Sequence, residues 1–358
     1  MNALEIFIFI LNAIFCVPTL ASITRFDYWW VRGFDFPRVQ ISILILINIC
    51  LAIAVYEFSS PWSIFMLGLL VFSLAYQFIK IYPYTPVAPK QVQSYVGEAN
   101  SNHIALLVSN VLMSNSDYDK LIQLTKRRNP DVLLTLESNA QWENALSCLE
   151  SQYEYQVKVP KDNRYGMHLY SKYPLEDMRV EYLVADDIPS IHGKIILSDG
   201  KKIGLHCLHP RPPSPSESST STNRDAELLL VGRELKREDD SILVFGDLND
   251  VAWSRTTRLF LKISGLLDPR RGRGFFNTFN ANHRFFRWPL DHIFHTKDFT
   301  LMEISREAHI GSDHFPMYTK LNYTPVAKSE QNGLKASDEE EDWAEKKIEK
   351  ADPNKNEI

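Results

Sequence analysis

The chain has 358 residues, 45% of them hydrophobic, and a formal net charge of −5. That length accommodates one large domain plus extra segments, and the slightly acidic balance excludes attachment to nucleic acid by bulk positive charge. Four cysteines without a CxxC pair exclude a disulfide scaffold and a cysteine-based zinc site.

Residues 1–81 read as a membrane anchor. Stretches 6–23, 39–56 and 62–79 contain no charged residue, and each is about as long as a bilayer's hydrocarbon core requires of a helix. Asn12, Asn48 and Gln77 are isolated polar interruptions, and Trp29, Trp30, Trp62, Tyr82 and Tyr84 sit at the ends, where aromatic rings favour the headgroup zone. The start, MNALE, has an acid and no cation, which argues against a cleaved signal peptide. The first connecting loop carries Arg25, Arg32 and Arg38, whereas the second, Glu57-Phe58-Ser59-Ser60, carries no cation. Positive-inside counting makes this a multi-pass protein of the cell (inner) membrane with its soluble part on the cytoplasmic face.

Residues 82–102 begin YPYTPVAPKQVQ, whose prolines predict an extended, semi-rigid spacer. From 103 to 323 short apolar runs alternate with helix-like patterns at 118–128, 140–152 and 224–236, which predicts an α/β domain. The run PRPPSPSESSTST, 210–222, reads as a flexible surface loop. From Thr324 onward there are ten acids and six lysines, predicting a charged, disordered tail with a short helix near 343–350.

The predicted strands share a feature at their ends. IALLVSN ends in Asn110, DVLLTLE in Glu137 and KIGLHCLH in His209; SILVFGD ends in Asp247, with Asn249 two residues on. PLDHIF then offers Asp291, and GSDHFP offers Asp313 and His314. Carboxylates and carbonyl-type oxygens suit a hard cation such as Mg²⁺, and strand ends are where α/β folds gather ligand sites. Each residue also has a local explanation. Glu137 could start a helix before Ser138-Asn139, Asn110 could sit in a turn, and Asp291-His292 could be a surface pair. Asp313-His314 could be a loop, and His209 a hydrogen-bonded structural histidine. Their joint occurrence, in order and at strand ends, favours a site.

The ordered set SN (109–110), LTLE (134–137), SKYPL (171–175), LHP (208–210), GDLN (246–249), PLDHIF (289–294) and GSDHFP (311–316) resembles the endonuclease/exonuclease/phosphatase superfamily. The likeness covers roughly 103–323, and the N-terminal spans look like a membrane-anchored bacterial branch. The resemblance implies a DNase I-like, four-layered α/β sandwich behind three transmembrane helices, and phosphoester hydrolysis dependent on Mg²⁺, with Mn²⁺ as an alternative. It implies metal binding by Glu137, with Asp313 and Asn110 close to the metal–phosphate network. It further implies that Asp247 activates water with Asn249 beside it, that His314 contacts the phosphate and is oriented by Asp291, and that His209 is a second phosphate contact. One departure is Leu112, where many nucleases of the family carry a further acid.

Residues 268–292 interleave arginines with aromatics, and together with Arg255 after GDLND this makes Arg255, Arg271, Arg273 and Arg287 candidate substrate contacts. The same mixture suits nucleic acid or a lipid headgroup beside the bilayer. The expected function is a membrane-anchored phosphodiesterase or nuclease. The alternatives are a phospholipase C- or phosphatase-like enzyme on lipid headgroups, or a non-catalytic scaffold on the same fold.

Overall fold

The computed structural model describes residues 3–56, 60–97 and 102–351; most of the second connecting loop, residues 57–59, lies outside them. Three helices are long and apolar enough to cross a bilayer: α1 (Ala3–Ile23), α3 (Arg38–Val55) and α4 (Pro61–Ile81), with a one-turn helix α2 (Trp29–Arg32) between the first two. Their isolated polar residues face inward. Asn12 donates to Tyr56 Oη at 2.8 Å and Gln77 to Thr19 Oγ1 at 2.9 Å, while Asn48 returns to its own helix at Leu44 O. Such pairing satisfies groups that hydrocarbon cannot.

The rest of the chain forms two sheets. In order, the elements are β1 (His103–Asn110), α5 (Tyr118–Arg128), β2 (Val132–Leu136), α6 (Ala140–Leu146), β3 (Tyr155–Val159), β4 (Met167–Ser171), β5 (Leu175–Glu181), β6 (Ser190–Ile196) and β7 (Lys202–Leu208). There follow α7 (Thr222–Leu235), β8 (Ile242–Asp247), α8 (Arg255–Ser264), β9 (Asp291–His295), β10 (Phe299–Arg306), β11 (Met317–Tyr323) and α9 (Asp338–Lys350). One sheet runs β10-β11-β1-β2-β4-β3 and the other β5-β6-β7-β8-β9.

Apolar residues at alternate positions of both sheets, among them Leu106, Val108, Leu134, Leu205, Leu243 and Phe245, close the space between them. The opposite face of the first sheet packs on α5 and α6 through Leu107, Leu133 and Trp142. That of the second packs on α7 and α8 through Leu228, Val244 and Phe260. The result is the expected four-layered α/β sandwich.

Direction decides what meets at the edge. β1 and β2 are parallel, as are β7 and β8, so all four carboxyl ends emerge on one side. β9 and β11 run antiparallel to these, so their amino ends arrive at the same edge; Asp291 pairs directly with Asp247. Burial of every strand residue from Leu243 to Asp247 explains the unalternated apolar run before the acid.

Two connections differ from expectation. The proline-containing segment after α4 is docked rather than free: Tyr84 and Val92 are buried, Tyr84 Oη donates to Ala252 O, and Leu301 pairs with Gln93 and Tyr95. Its first residues turn, Tyr82–Tyr84 as a 3-10 helix, and β10 and the loop after α8 supply partners for its backbone. The helix expected near 343–350 is α9, which starts earlier, at Asp338, begun by a capping box between Ser337 and Glu340, and it is docked rather than free. Ala344 and partly buried Trp343 and Ile348 give it an apolar face against α7 and α8, which composition alone obscures.

Candidate active site

The loops at the common strand edge enclose a pocket of about 320 Å³ bordered by Glu137, His209, Asp247, Asn249, Asp313 and His314. These six predicted residues, from four separated segments, are brought together. Asn110 and Asp291 lie directly behind them, buried.

Asn110 ties two acids. Its Nδ2 donates to Glu137 Oε1 at 3.0 Å and to Asp247 Oδ2 at 3.1 Å, while its Oδ1 accepts from Leu112 N–H at 3.1 Å. Its polar atoms are thereby engaged in holding the carboxylates. Glu137 and Asn249 have φ of 57° and 51°, a left-handed region costly for residues with a side chain, where the chain leaves β2 and β8. Neither acts as a helix cap; Asn139 caps α6 through Gln141 and Trp142. Because Asn249 is left-handed, strand alternation does not bring it beside Asp247. A hydrogen bond from its N–H to Asp247 Oδ1, at 2.9 Å, and another from Nδ2 to Pro210 O do. Gly246 has a necessary role here, since a Cβ would lie 2.0 Å from Leu208 O on the adjoining strand.

His314 stands between two acids, with Nδ1 2.8 Å from Asp291 Oδ2 and Nε2 3.5 Å from Asp247 Oδ2. Burial opposes its charge, but Asp291 and Asp247 outweigh burial and hold its pKa at about 10. The ring is therefore an imidazolium at neutral pH. His209, 3.9 Å from Asp247, is pushed down by burial to about 4 and stays neutral. Burial raises Glu137 and Asp247, opposed by the Asn110 hydrogen bond at the first and by His314 at the second.

Asp247, Asp291 and His314 lie close enough to share an ion. A charged ring hydrogen-bonded to Asp291 is a poor ligand, however, and Glu137 offers a better one. Glu137 Oε2 is buried, with no hydrogen-bond partner among the described residues, beside the pocket that Asp313 also borders. An orphaned carboxylate oxygen with further oxygen donors nearby fits a hard divalent cation.

The arginines expected at the site go elsewhere. Arg271 lies over the Tyr84 ring, and Arg273 donates to Pro269 O and Val92 O. Arg287 donates to His283 O and Ala281 O, and Arg255 to Ser22 O and Ile23 O. None borders the pocket. Each meets backbone oxygens or rings that only the folded chain supplies, which an arginine–aromatic run does not disclose.

Sequence reasoning missed the other walls. The loop read as flexible, 210–222, borders the pocket through Pro212, Pro213, Ser214, Ser216 and Glu217, and its end pairs with Tyr28 and Trp29 of the first connecting loop. Arg164 and Tyr165 come from the turn before β4, where a Cβ on Gly166 would lie 1.8 Å from Ser138 O. Phe36, from the segment between α2 and α3, completes the rim and packs edge-on against Trp288. The YG step at 165–166 was a usable signal; nothing local marked Phe36.

The profile of the Endonuclease/Exonuclease/phosphatase family matches residues 107–314. Several solved structures share the fold. D. rerio TDP2 complexed with single strand DNA product is 16% identical, with a TM-score of 0.52, covering 62% of this chain and 99% of that one. An endonuclease/exonuclease/phosphatase family protein from Bacteroides thetaiotaomicron is 17% identical, with a TM-score of 0.51, covering 63% and 99%. The human Nocturnin catalytic domain with bound sulfate anion is 12% identical, with a TM-score of 0.50, covering 63% and 97%. No curated protein matches the chain by sequence.

Proposed function

Because the chain belongs to the endonuclease/exonuclease/phosphatase family, we propose that it is a membrane-anchored, divalent-metal-dependent phosphodiesterase. The observation that carries this reading is the meeting of Glu137, Asp247 and His314 at one pocket with an unpartnered carboxylate oxygen. Glu137 and Asp313 would hold Mg²⁺ or Mn²⁺, which when bound offsets negative charge on the phosphoryl group. Asp247, oriented by Asn110 and the Asn249 N–H, accepts a proton from water entering the pocket. The His314 imidazolium, fixed by Asp291, presents Nε2–H to a phosphoryl oxygen. Neutral His209 and the Asn249 amide border the same space and complete the phosphate contacts.

The test is hydrolysis of bis(p-nitrophenyl) phosphate by the purified full chain with Mg²⁺, and its loss in EDTA. Turnover unaffected by the chelator would overturn the proposal.

A second reading concerns the leaving group. Phe36, Pro212, Pro213, Phe279 and Leu290 give the rim an apolar side, and Arg164 is the sole lysine or arginine among its bordering residues. With Phe36 coming from the anchor, this favours a lipid-headgroup phosphodiester over a polyanionic strand, which needs several cations along its backbone. The D. rerio structure bears a single strand DNA product, which supports the nucleic-acid alternative. Offering phospholipid vesicles and DNA to the same preparation separates the two. Cleavage of DNA alone would return the substrate to nucleic acid.

A further inference from the structure

Arg255 opens the first turn of α8 and faces a second cavity, of about 430 Å³, where the ends of α1 and α4 approach α8 and α9. It shares no bordering residue with the candidate active site. Arg25, Lys80, Arg255, Arg258 and Lys262 border it, against the single carboxylate of Glu340. Some of this charge is matched. Lys262 donates to both Glu340 oxygens at 2.6 and 2.7 Å, and Arg25 to exposed Glu339 at 2.6 Å.

The remainder is not. Arg255 Nη2 is occupied by the carbonyls that end α1 and its guanidinium overlies the Trp343 ring at 5.7 Å, but its buried Nη1 has no hydrogen-bond partner among the described residues. Among the described residues, Lys80 and Arg258 make no hydrogen bond and no close ion pair; Asp35 and Glu340 act on them only at longer range, and Lys80 overlies the Tyr76 ring at 5.2 Å. Burial holds the Arg255 and Arg258 guanidiniums below their usual range, with Arg32 adding to the effect at the first and Arg271 at the second. Partly buried, mutually repelling cations call for an anion.

The position says which anion. Lys80 lies in the last turn of one membrane helix, and Ile23 ends another. Outward-facing Leu20 and Ile79 beside them, 49% and 65% exposed, are placed to meet acyl chains. We propose that this cavity binds the phosphate of an anionic phospholipid headgroup from the leaflet on which the catalytic domain sits. Guanidinium and ammonium groups at the headgroup level, with apolar surface directly below, match the two parts of such a lipid. The inference rests on α1, α3 and α4 spanning the bilayer and is independent of which phosphodiester the active site cleaves.

The experiment uses the full chain in dodecyl maltoside with EDTA present, so that no metal-dependent turnover consumes lipid. Dioleoylphosphatidylglycerol, dioleoylphosphatidylcholine and inorganic phosphate are titrated separately while the thermal midpoint is read. Phosphatidylglycerol alone is expected to raise the midpoint. Lys80→Gln and Arg258→Gln are each expected to weaken its apparent affinity about fivefold or more, and the exposed control Lys126→Gln to leave it unchanged. Arg258→Lys, which keeps the charge, is expected to retain the response if the glutamine variant folds poorly. An equal shift with phosphatidylcholine or with inorganic phosphate, an undiminished response in both glutamine variants, or a lost response in Arg258→Lys would overturn the proposal. A chain that stays monomeric in buffer without detergent would remove the premise itself, which is a different result from lost lipid selectivity.

Discussion

At the residue scale, Asp247 is the side chain on which most of the site's contacts converge. Asn110, Asn249 N–H, His314 and His209 all approach its two oxygens. Asp247→Asn keeps the shape and removes the proton acceptor, so kcat is expected to fall by roughly 10³-fold with the thermal midpoint near wild type. Steady-state kinetics beside a melting curve checks this; a variant that loses its fold instead would mark Asp247 as structural. A second residue is conspicuous for lacking partners. Glu227, on α7, is buried with Oε1 unpaired, and burial raises its pKa to about 8. The folded state thus keeps a proton that the unfolded chain releases near the ordinary value of 4.5. Its contribution is therefore most favourable below about pH 4.5, declines as pH rises to about 8, and is flat beyond. Glu227→Gln is expected to remove that decline and to stabilise the protein at pH 8 by a few kcal/mol, on the order that such a shift implies. Urea titrations at pH 5 and pH 8 measure it.

At the scale of elements, strand ends were legible and helix faces and long loops much less so. An apolar run terminated by Asp, Glu, Asn or His announces itself because burial on both faces leaves only the tip free to be polar. Glu137 and Asp247 stand out that way, and the fold brings both to one pocket. Arg271 and Arg273 were not placed correctly, because their partners, Tyr84 and Val92, lie more than 180 residues earlier in the chain. The same distance hid the role of α9. Lys347 is buried between Asp27 of the first connecting loop, at 2.5 Å, and Asp225 of α7. Asp225 in turn holds Arg224, whose guanidinium donates to Asn249 O at 2.9 Å. A chain of charges thus links the first connecting loop, α9, α7 and the loop after β8. Burial opposes ionisation of Asp225, but Lys347 and Arg224 prevail and hold its carboxyl far below the usual carboxylate range. Its stabilisation is present above the ordinary carboxylate pKa and is lost only as pH falls far below it. Lys347→Ala removes one of the two cations held by each of Asp225 and Asp27, leaving Arg224 and Lys350, and is expected to cost about 3 kcal/mol, read as a lowered urea midpoint at pH 7.

At the scale of the whole molecule, the N-terminal helices and the two-sheet domain are joined by more than a linker. Trp253 Nε1 donates to Asp35 O at 2.7 Å, Tyr84 to Ala252 O at 2.7 Å, and Phe36 borders the pocket itself. α1 ends, α3 begins and α4 ends on the side where the domain docks, which agrees with three spans and a domain on the same face as the Arg25–Arg38 loop. If that face is cytoplasmic, a C-terminal green fluorescent protein fusion is expected to fluoresce and a C-terminal alkaline phosphatase fusion to be inactive; the opposite pair of results would invert the topology. The central claim is that separated strand tips build one divalent-metal site for phosphoester cleavage. Locating Mn²⁺ by anomalous diffraction from crystals of the full chain tests it most directly. A peak is expected within coordination distance of a Glu137 carboxylate oxygen, inside the pocket bordered by Asp247 and His314. A peak on Asp291 and His314 with Glu137 left bare would contradict it.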